Sequence, residues 1–213
     1  MMKRFSAAIT SVFIIVSFLC GIPINTAASV NNFENSVYWQ YGARQWTPIG
    51  KSNQVCFAGY FNGDGHTVSG IYINTINNNQ GLFGCFNTIT GTIENLGVVN
   101  SYIKGGNYVG GVVGRAGGSP LTNCYNNGTI SGFSNIGGVA GYAFCTVNDC
   151  RNAGLVRGNS DMGGVAGYVS ASTISNCNNT GIINGTWNVG GVTGASVSAS
   201  MADSCYNTGA VSG

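Results

Sequence analysis

Charge is scarce in this 213-residue chain, where eight Lys or Arg and six Asp or Glu make up 7% of the residues and His66 is the single histidine. A balance so sparse and so even excludes the long-range steering by which proteins approach nucleic acid or anionic membranes. One histidine excludes the His-Glu-x-x-His helix of a metallopeptidase. A calcium-binding β-roll needs an Asp in every turn, whereas Asp64, Asp149, Asp161 and Asp203 stand at unrelated phases. No metal and no cofactor is expected. Missing too is a helical period, since beyond residue 28 no stretch spaces its apolar residues as a helix face would.

The N-terminus has a different character. Lys3 and Arg4 precede an almost uncharged apolar stretch from Phe5 to Ile24, followed by small polar residues through Ala28 and Ser29. That order is a secretory signal peptide's, with cleavage expected near Ala28. Ser6, Thr10, Ser11, Ser17, Gly21 and Pro23 within the stretch argue against a retained membrane anchor. Leu19 before Cys20 is too bulky for a lipidation site. The chain therefore divides into a signal peptide at 1–28, an aromatic-rich cap and lead-in at 29–60, and repeats at 61–213 with the last coil incomplete. A secreted or cell-surface location follows, with no membrane insertion beyond the signal.

What is abundant is glycine in a fixed place. Val109-Gly110-Gly111-Val112-Val113-Gly114, Ile136-Gly137-Gly138-Val139-Ala140-Gly141, Met162-Gly163-Gly164-Val165-Ala166-Gly167 and Val189-Gly190-Gly191-Val192-Thr193-Gly194 return one phrase every 26 or 27 residues. Each continues through a variable stretch into aliphatic-x-x-Cys-x-Asn-x-Gly. Gly81-Leu82-Phe83-Gly84 opens a looser copy with Leu96 at the cysteine position, and Phe61 to Ile73 supplies a lead-in coil. Short apolar triplets such as Thr129-Ile130-Ser131 have strand composition, and Gly and Asn between them tolerate the left-handed backbone of sharp corners. A repeat of this length that bends short strands around one apolar interior is an all-β, parallel β-solenoid of about 26–28 residues per coil. A propeller blade needs about forty residues, and a sandwich has no reason to repeat cysteine at constant phase. β-Crossovers favour the right hand, which is the hand expected.

Seven of the eight cysteines lie beyond the signal. Cys124, Cys150, Cys177 and Cys205 recur at the repeat period, each shortly after an aliphatic residue at Leu121, Val147, Ile174 or Met201. Equivalent residues of stacked coils sit about 4.8 Å apart, wider than the Cβ separation a disulfide prefers. These four are expected to form an inward ladder of free thiols used as packing. Cys145 could pair with Cys150 and Cys56 with Cys85, but neither bond is favoured.

Solenoids need a cover over the first coil, and the aromatic block from Tyr38 to Gly50 suits that role. At the other end Ala210-Val211-Ser212-Gly213 stands inside a unit, so a longer protein or a partner covering the last coil is expected.

The phrases Gly81-Leu82-Phe83-Gly84, Gly111-Val112-Val113-Gly114, Gly138-Val139-Ala140-Gly141 and Gly164-Val165-Ala166-Gly167 resemble the GLUG-motif repeats of bacterial surface proteins. Trp46-Thr47-Pro48-Ile49-Gly50, the segment Phe61 to Gly70 and Asn123-Cys124-Tyr125-Asn126-Asn127-Gly128 are similar to the same family's leader and connecting phrases. Thr193 departs from the pattern by replacing the second hydrophobic residue. The resemblance implies a secreted or surface protein whose repeats form a right-handed β-helix-like stalk or adhesive region. The motif also occurs beside catalytic domains in larger proteins, including some immunoglobulin-cleaving metallopeptidases, where the repeats are not the catalytic part.

Parallel β-helices also serve polysaccharide lyases and glycosidases, which need two carboxylates across a groove. Asp149 has Asn123, Asn176 and Ser204 at its equivalent positions, and Asp64 with His66 in Asn62-Gly63-Asp64-Gly65-His66 reads as a turn. No catalytic residue is assigned. The surface candidates are Tyr125, Arg151 and Tyr206, which follow the ladder cysteines and must point outward if the thiols point in, and the column Arg115, Tyr142, Tyr168. Tyr and Arg on a rigid face suit protein or sugar recognition. Asn126, Asn152, Asn179 and Asn207 make the most regular polar column and are expected to hydrogen-bond along the array as structure. An ice-binding threonine ladder is absent, because Leu155, Ile182 and Ala210 stand at the place of Thr129. The reading is a non-catalytic adhesion module or stalk whose partner is host protein, glycan or another copy. The alternative is a polysaccharide-acting β-helix enzyme or the repeat segment of a larger surface protease.

Overall fold

The computed structural model describes residues 45–213, and the expected signal peptide at 1–28 and residues 29–44 of the expected cap lie outside it. The described chain is all-β without a helix, a parallel solenoid of about five turns. Each full coil visits three faces. The first holds Asn107–Gly110, Ser134–Gly137, Ser160–Gly163 and Trp187–Gly190. The second holds Phe83–Thr88, Val113–Gly118, Ala140–Phe144, Ala166–Ser170 and Thr193–Val197. The third is a 14-stranded sheet that includes Thr92–Lys104 and Leu121–Ser131 and breaks into two- and three-residue strands in later coils. Every strand pairs with its equivalent one coil away, so Val113, Ala140, Ala166 and Thr193 stack in one column. The lead-in coil joins only the third face, where Phe61, Val68 and Ile73 stand beside Ile93, Val98 and Ile103.

Corners follow the asparagine half of the sequence expectation and not the glycine half. Two columns of left-handed residues bend each coil, Asn79, Tyr108, Asn135, Asp161 and Asn188 in one and Asn95, Asn123, Asp149, Asn176 and Ser204 in the other. Asn and Asp carry most of these places because their short polar side chains tolerate positive φ. The repeated Gly-Gly pairs have ordinary φ, and among the described glycines only Gly50, Gly65, Gly70 and Gly118 are left-handed. The paired glycines serve a steric purpose. A Cβ on Gly111, Gly138, Gly164 or Gly191 would lie 2.3 to 2.7 Å from the side chain of Asn126, Asn152, Asn179 or Asn207 respectively. The second glycine of each phrase thus makes room for the asparagine that faces it across the shaft.

Beside the asparagines, the shaft is lined largely by aliphatic side chains and thiols. Leu121, Val147 and Ile174 form one buried column, and Cys124, Cys150 and Cys177 another with no exposure. Leu96 is in register with Cys124 and fills the same place one coil earlier. Met201 does not continue the aliphatic column. It lies four residues before Cys205, pairs with Thr173 and is exposed, while Ala202 takes the place beside Ile174.

At the other end Trp46, Phe57 and Phe61 pack against the first coil. Phe57 and Phe61 bring their rings to 5.1 and 5.2 Å from Phe83, and Trp46 Nε1 donates to the Leu82 carbonyl at 3.2 Å. Ile49 and Phe57 make isolated parallel bridges to Phe83 and Phe86. A disulfide ties this segment down. Cys56 and Cys85 are bonded with their Cα atoms 4.6 Å apart, a pairing the sequence allowed but did not favour; Cys145 and Cys150 remain free. The bond closes a loop of 29 residues, and Cys56→Ser is expected to lower stability by about 3 kcal/mol in the chain-entropy account. Urea unfolding with and without reductant checks this: reductant should destabilise the parent chain and leave Cys56→Ser unchanged.

Candidate functional site

Alternation along a strand sends neighbours of inward residues outward, and two outward columns carry the surface candidates. On the second face Cys85, Arg115, Tyr142, Tyr168 and Ala195 are in register. Tyr142 and Tyr168 stack with ring centroids 5.4 Å apart and planes 11° from parallel. The Arg115 guanidinium lies 5.6 Å from the Tyr142 ring centre, and Tyr108 meets the same ring edge-on at 5.9 Å. On the third face Gly97, Tyr125, Arg151, Asn178 and Tyr206 are in register. Arg151 sits 4.8 Å over the Tyr125 ring, which leans back over Gly97, where a Cβ would be 2.3 Å from it.

The six candidates therefore fall into separate groups. Arg115, Tyr142 and Tyr168 form one continuous stack, Tyr125 and Arg151 a pair on another face, and Tyr206 is divided from that pair by Asn178. Sequence reasoning passed over Phe144, which is 51% exposed and points outward two residues after Tyr142. Period-two alternation from Tyr142 was the signal that would have found it. Phe144 stands in register with Gly117 and, one coil further, Asn87, beside a notch of about 230 Å³ that Arg115 also lines.

Inside the shaft, backbone and thiol are joined. The Cys124 N–H donates to Cys150 Sγ at 3.4 Å and the Cys150 N–H to Cys177 Sγ at 3.3 Å. Burial pushes the Cys145 thiol from its ordinary 9.0 up to about 12. Cys150 is pushed well above the same value, by burial first and then by Cys124 and Cys177. The folded chain holds the Cys145 proton more tightly than the unfolded one, so the stability that this thiol confers is fully present below about pH 9 and is lost as pH rises toward about 12. Cys145 steepens the pH dependence by about 1.4 kcal/mol per pH unit within the window. Urea midpoints measured between about pH 8 and about pH 11 should fall, and Cys145→Ala should make the fall shallower.

Asp64 and His66 occupy a tight turn. Asp64 and Gly65 are left-handed, the Asp64 N–H donates to Asn62 Oδ1 at 2.8 Å, and the His66 ring nitrogen Nδ1 is 3.0 Å from the Gly63 carbonyl. Asp149, Asp161 and Ser204 fill left-handed corner positions. Asp161 accepts from Ser134, Ser160 and Asn188 at 3.2, 3.0 and 2.7 Å, which ties three coils at one corner. No cluster of three or more His, Cys, Asp or Glu suited to a metal occurs among the described residues.

Comparison with known proteins agrees with this architecture. The GLUG motif model matches residues 105–131, the segment that holds one Gly-Gly phrase and the first ladder cysteine. Over 101 residues, 47% of this chain, it is 38% identical to halomucin of Haloquadratum walsbyi. Over 75 residues, 35% of the chain, it is 35% identical to a protein of Evansella cellulosilytica described as a candidate Gly-rich membrane protein. The chain spans only 1% and 8% of the lengths of these two relatives. Among solved structures, a candidate immunoglobulin A1 protease from Bacteroides ovatus superposes with a TM-score of 0.55 at 19% identity, covering 81% of this chain and 67% of that one. At that identity the likeness is one of fold.

Proposed function

We propose that this chain is an exported, surface-displayed and non-catalytic solenoid module that acts in adhesion or as a stalk, presenting its side faces to a partner. The observation that carries the reading is the Arg115–Tyr142–Tyr168 stack on the second face. Each ring is held by its neighbour and by the sheet beneath, so little side-chain freedom remains to be lost on binding, which is where rigid aromatic and Arg side chains gain their advantage. The GLUG match and the surface character suggested by the names of the two relatives support display outside the cell.

Binding of the chain to a panel of matrix proteins and glycans tests the reading. Replacing Tyr142 and Tyr168 together with Ala should weaken capture by about 30-fold or more, as loss of a hot spot does. Unchanged capture, or none from the whole panel, counts against it. The structural neighbour favours a second reading, in which the solenoid is the repeat segment of a larger surface protease. Discovery of a His-rich or carboxylate-rich domain in the same reading frame would favour that one.

A further inference from the structure

The second face carries more than a stack of rings. We propose that the notch between Arg115 and Phe144 is a saccharide subsite that takes one acidic sugar ring, a pyranose bearing a carboxylate, from a longer glycan; the proposal rests on the adhesion reading and names its ligand.

Three features of the notch lead there. The first is its shape. Asn87, Gly117 and Phe144 occupy one outward register position on successive strands, so the missing side chain at Gly117 leaves a step between an amide on one side and an exposed ring on the other. Arg115, two residues earlier on the same strand, closes the third side, and the Cys56–Cys85 disulfide fixes the strand beyond it. At about 230 Å³ the space is smaller than the roughly 300–1,000 Å³ of sites that enclose a whole small molecule. It suits one ring of an extended chain.

The second feature is charge. The five strands of this face, and the turns that follow them at residues 89–91, 119–120, 145–146, 171–172 and 198–200, contain no Asp or Glu. Arg115 is the one charged residue on them, and its neighbour is the Tyr142 ring, not a carboxylate. A guanidinium presented beside a cavity in an otherwise uncharged surface is complementary to a single anion of planar, two-oxygen geometry, which it can hold with paired N–H bonds.

The third feature separates a sugar from an acidic peptide. The middle strands of this face pair on both sides, with their backbone bonds running between coils. A peptide's main chain would find no strand edge there. A sugar needs only side-chain partners. The Phe144 ring offers an apolar surface to the C–H face of a pyranose, and the Asn87 amide offers a donor and an acceptor to its hydroxyls.

Calorimetric titration of the chain with oligogalacturonate, its neutral methyl ester and a glutamate-rich peptide tests the proposal. The expected result is binding of the uronate, at least about tenfold weaker binding of the ester, and a similar loss for Arg115→Gln. Gly117→Leu fills the notch from a half-buried strand position of ordinary φ, where a Cβ would meet only the end of the Asn87 side chain at 3.0 Å. It should remove binding while leaving the circular dichroism and urea midpoint near those of the parent. Uronate binding untouched by either Arg115→Gln or Gly117→Leu would overturn the subsite, as would equal affinity for the ester or the peptide. If these probes fail to bind while the wider panel is still captured through Tyr142 and Tyr168, the subsite falls and the adhesion reading stands. If nothing is captured, both fall.

Discussion

Asn152→Ala should destabilise the solenoid by about 5 kcal/mol, the largest loss expected from any single truncation in the shaft. Its amide is 1% exposed and makes four hydrogen bonds. Oδ1 accepts from Asn126 Nδ2 at 2.8 Å and from the Gly154 N–H at 3.2 Å, while Nδ2 donates to the Gly154 carbonyl at 3.1 Å and to Asn179 Oδ1 at 2.7 Å. Removing the amide leaves groups on three coils short of partners where water does not reach, at about 1–3 kcal/mol each. Asn152→Asp keeps the shape and should fare no better, because a buried carboxylate would face Asn179 Oδ1, an acceptor with no hydrogen to give. Asn207→Ala, in the exposed last member of the column, should cost only about 1 kcal/mol. Urea titrations followed by circular dichroism would rank the three. Similar midpoints for Asn152→Ala and the parent would mean that the ladder contributes little.

Gly164→Ala comes next, at about 3 kcal/mol or more, although it adds a single methyl group. That methyl would stand 2.2 Å from the Gly191 carbonyl and 2.4 Å from Asn179 Cγ. Neither obstacle can rotate away, since one is backbone in the next coil and the other is an amide held at both ends by its column. Relief requires the coil to move, which breaks the register on which the ladder depends. Gly117→Ala is the control, and should change stability by less than about 0.5 kcal/mol. Thermal unfolding of the two variants checks the contrast; equal melting temperatures would refute the steric account of the Gly-Gly phrase.

Much of this architecture is written in the repeat. The phase of Cys124, Cys150 and Cys177 places them over one another, and their neighbours Tyr125 and Arg151 are outward for the same reason. What the period cannot express is contact across the shaft. Gly164 and Asn179 are fifteen positions apart in sequence, and nothing in either phrase alone says that one makes room for the other. The disulfide was missed on a different ground. The stacking distance that argues against bonds between equivalent cysteines does not apply to Cys56, which lies outside the coils and crosses over the outward position of Cys85. That position was legible, because Cys85 follows Gly81-Leu82-Phe83-Gly84 as Arg115 follows its own Gly-containing phrase. Met201 misled because the last coil spaces its aliphatic residue from the cysteine by one extra residue. The surface candidates were legible as columns but not as groups, since which rings touch depends on how each side chain leans.

The asparagine column has a sense of direction. From Asn126 to Asn207 each amide passes its hydrogen forward to the next coil, and at the near end Val98 stands where another amide would be. Any additional winding that supplies an asparagine and a facing glycine at the right phase would join this relay without disturbing those already in it. Duplication of the gene segment can therefore lengthen the rod as readily as adding links to a chain, without reshaping the windings already built.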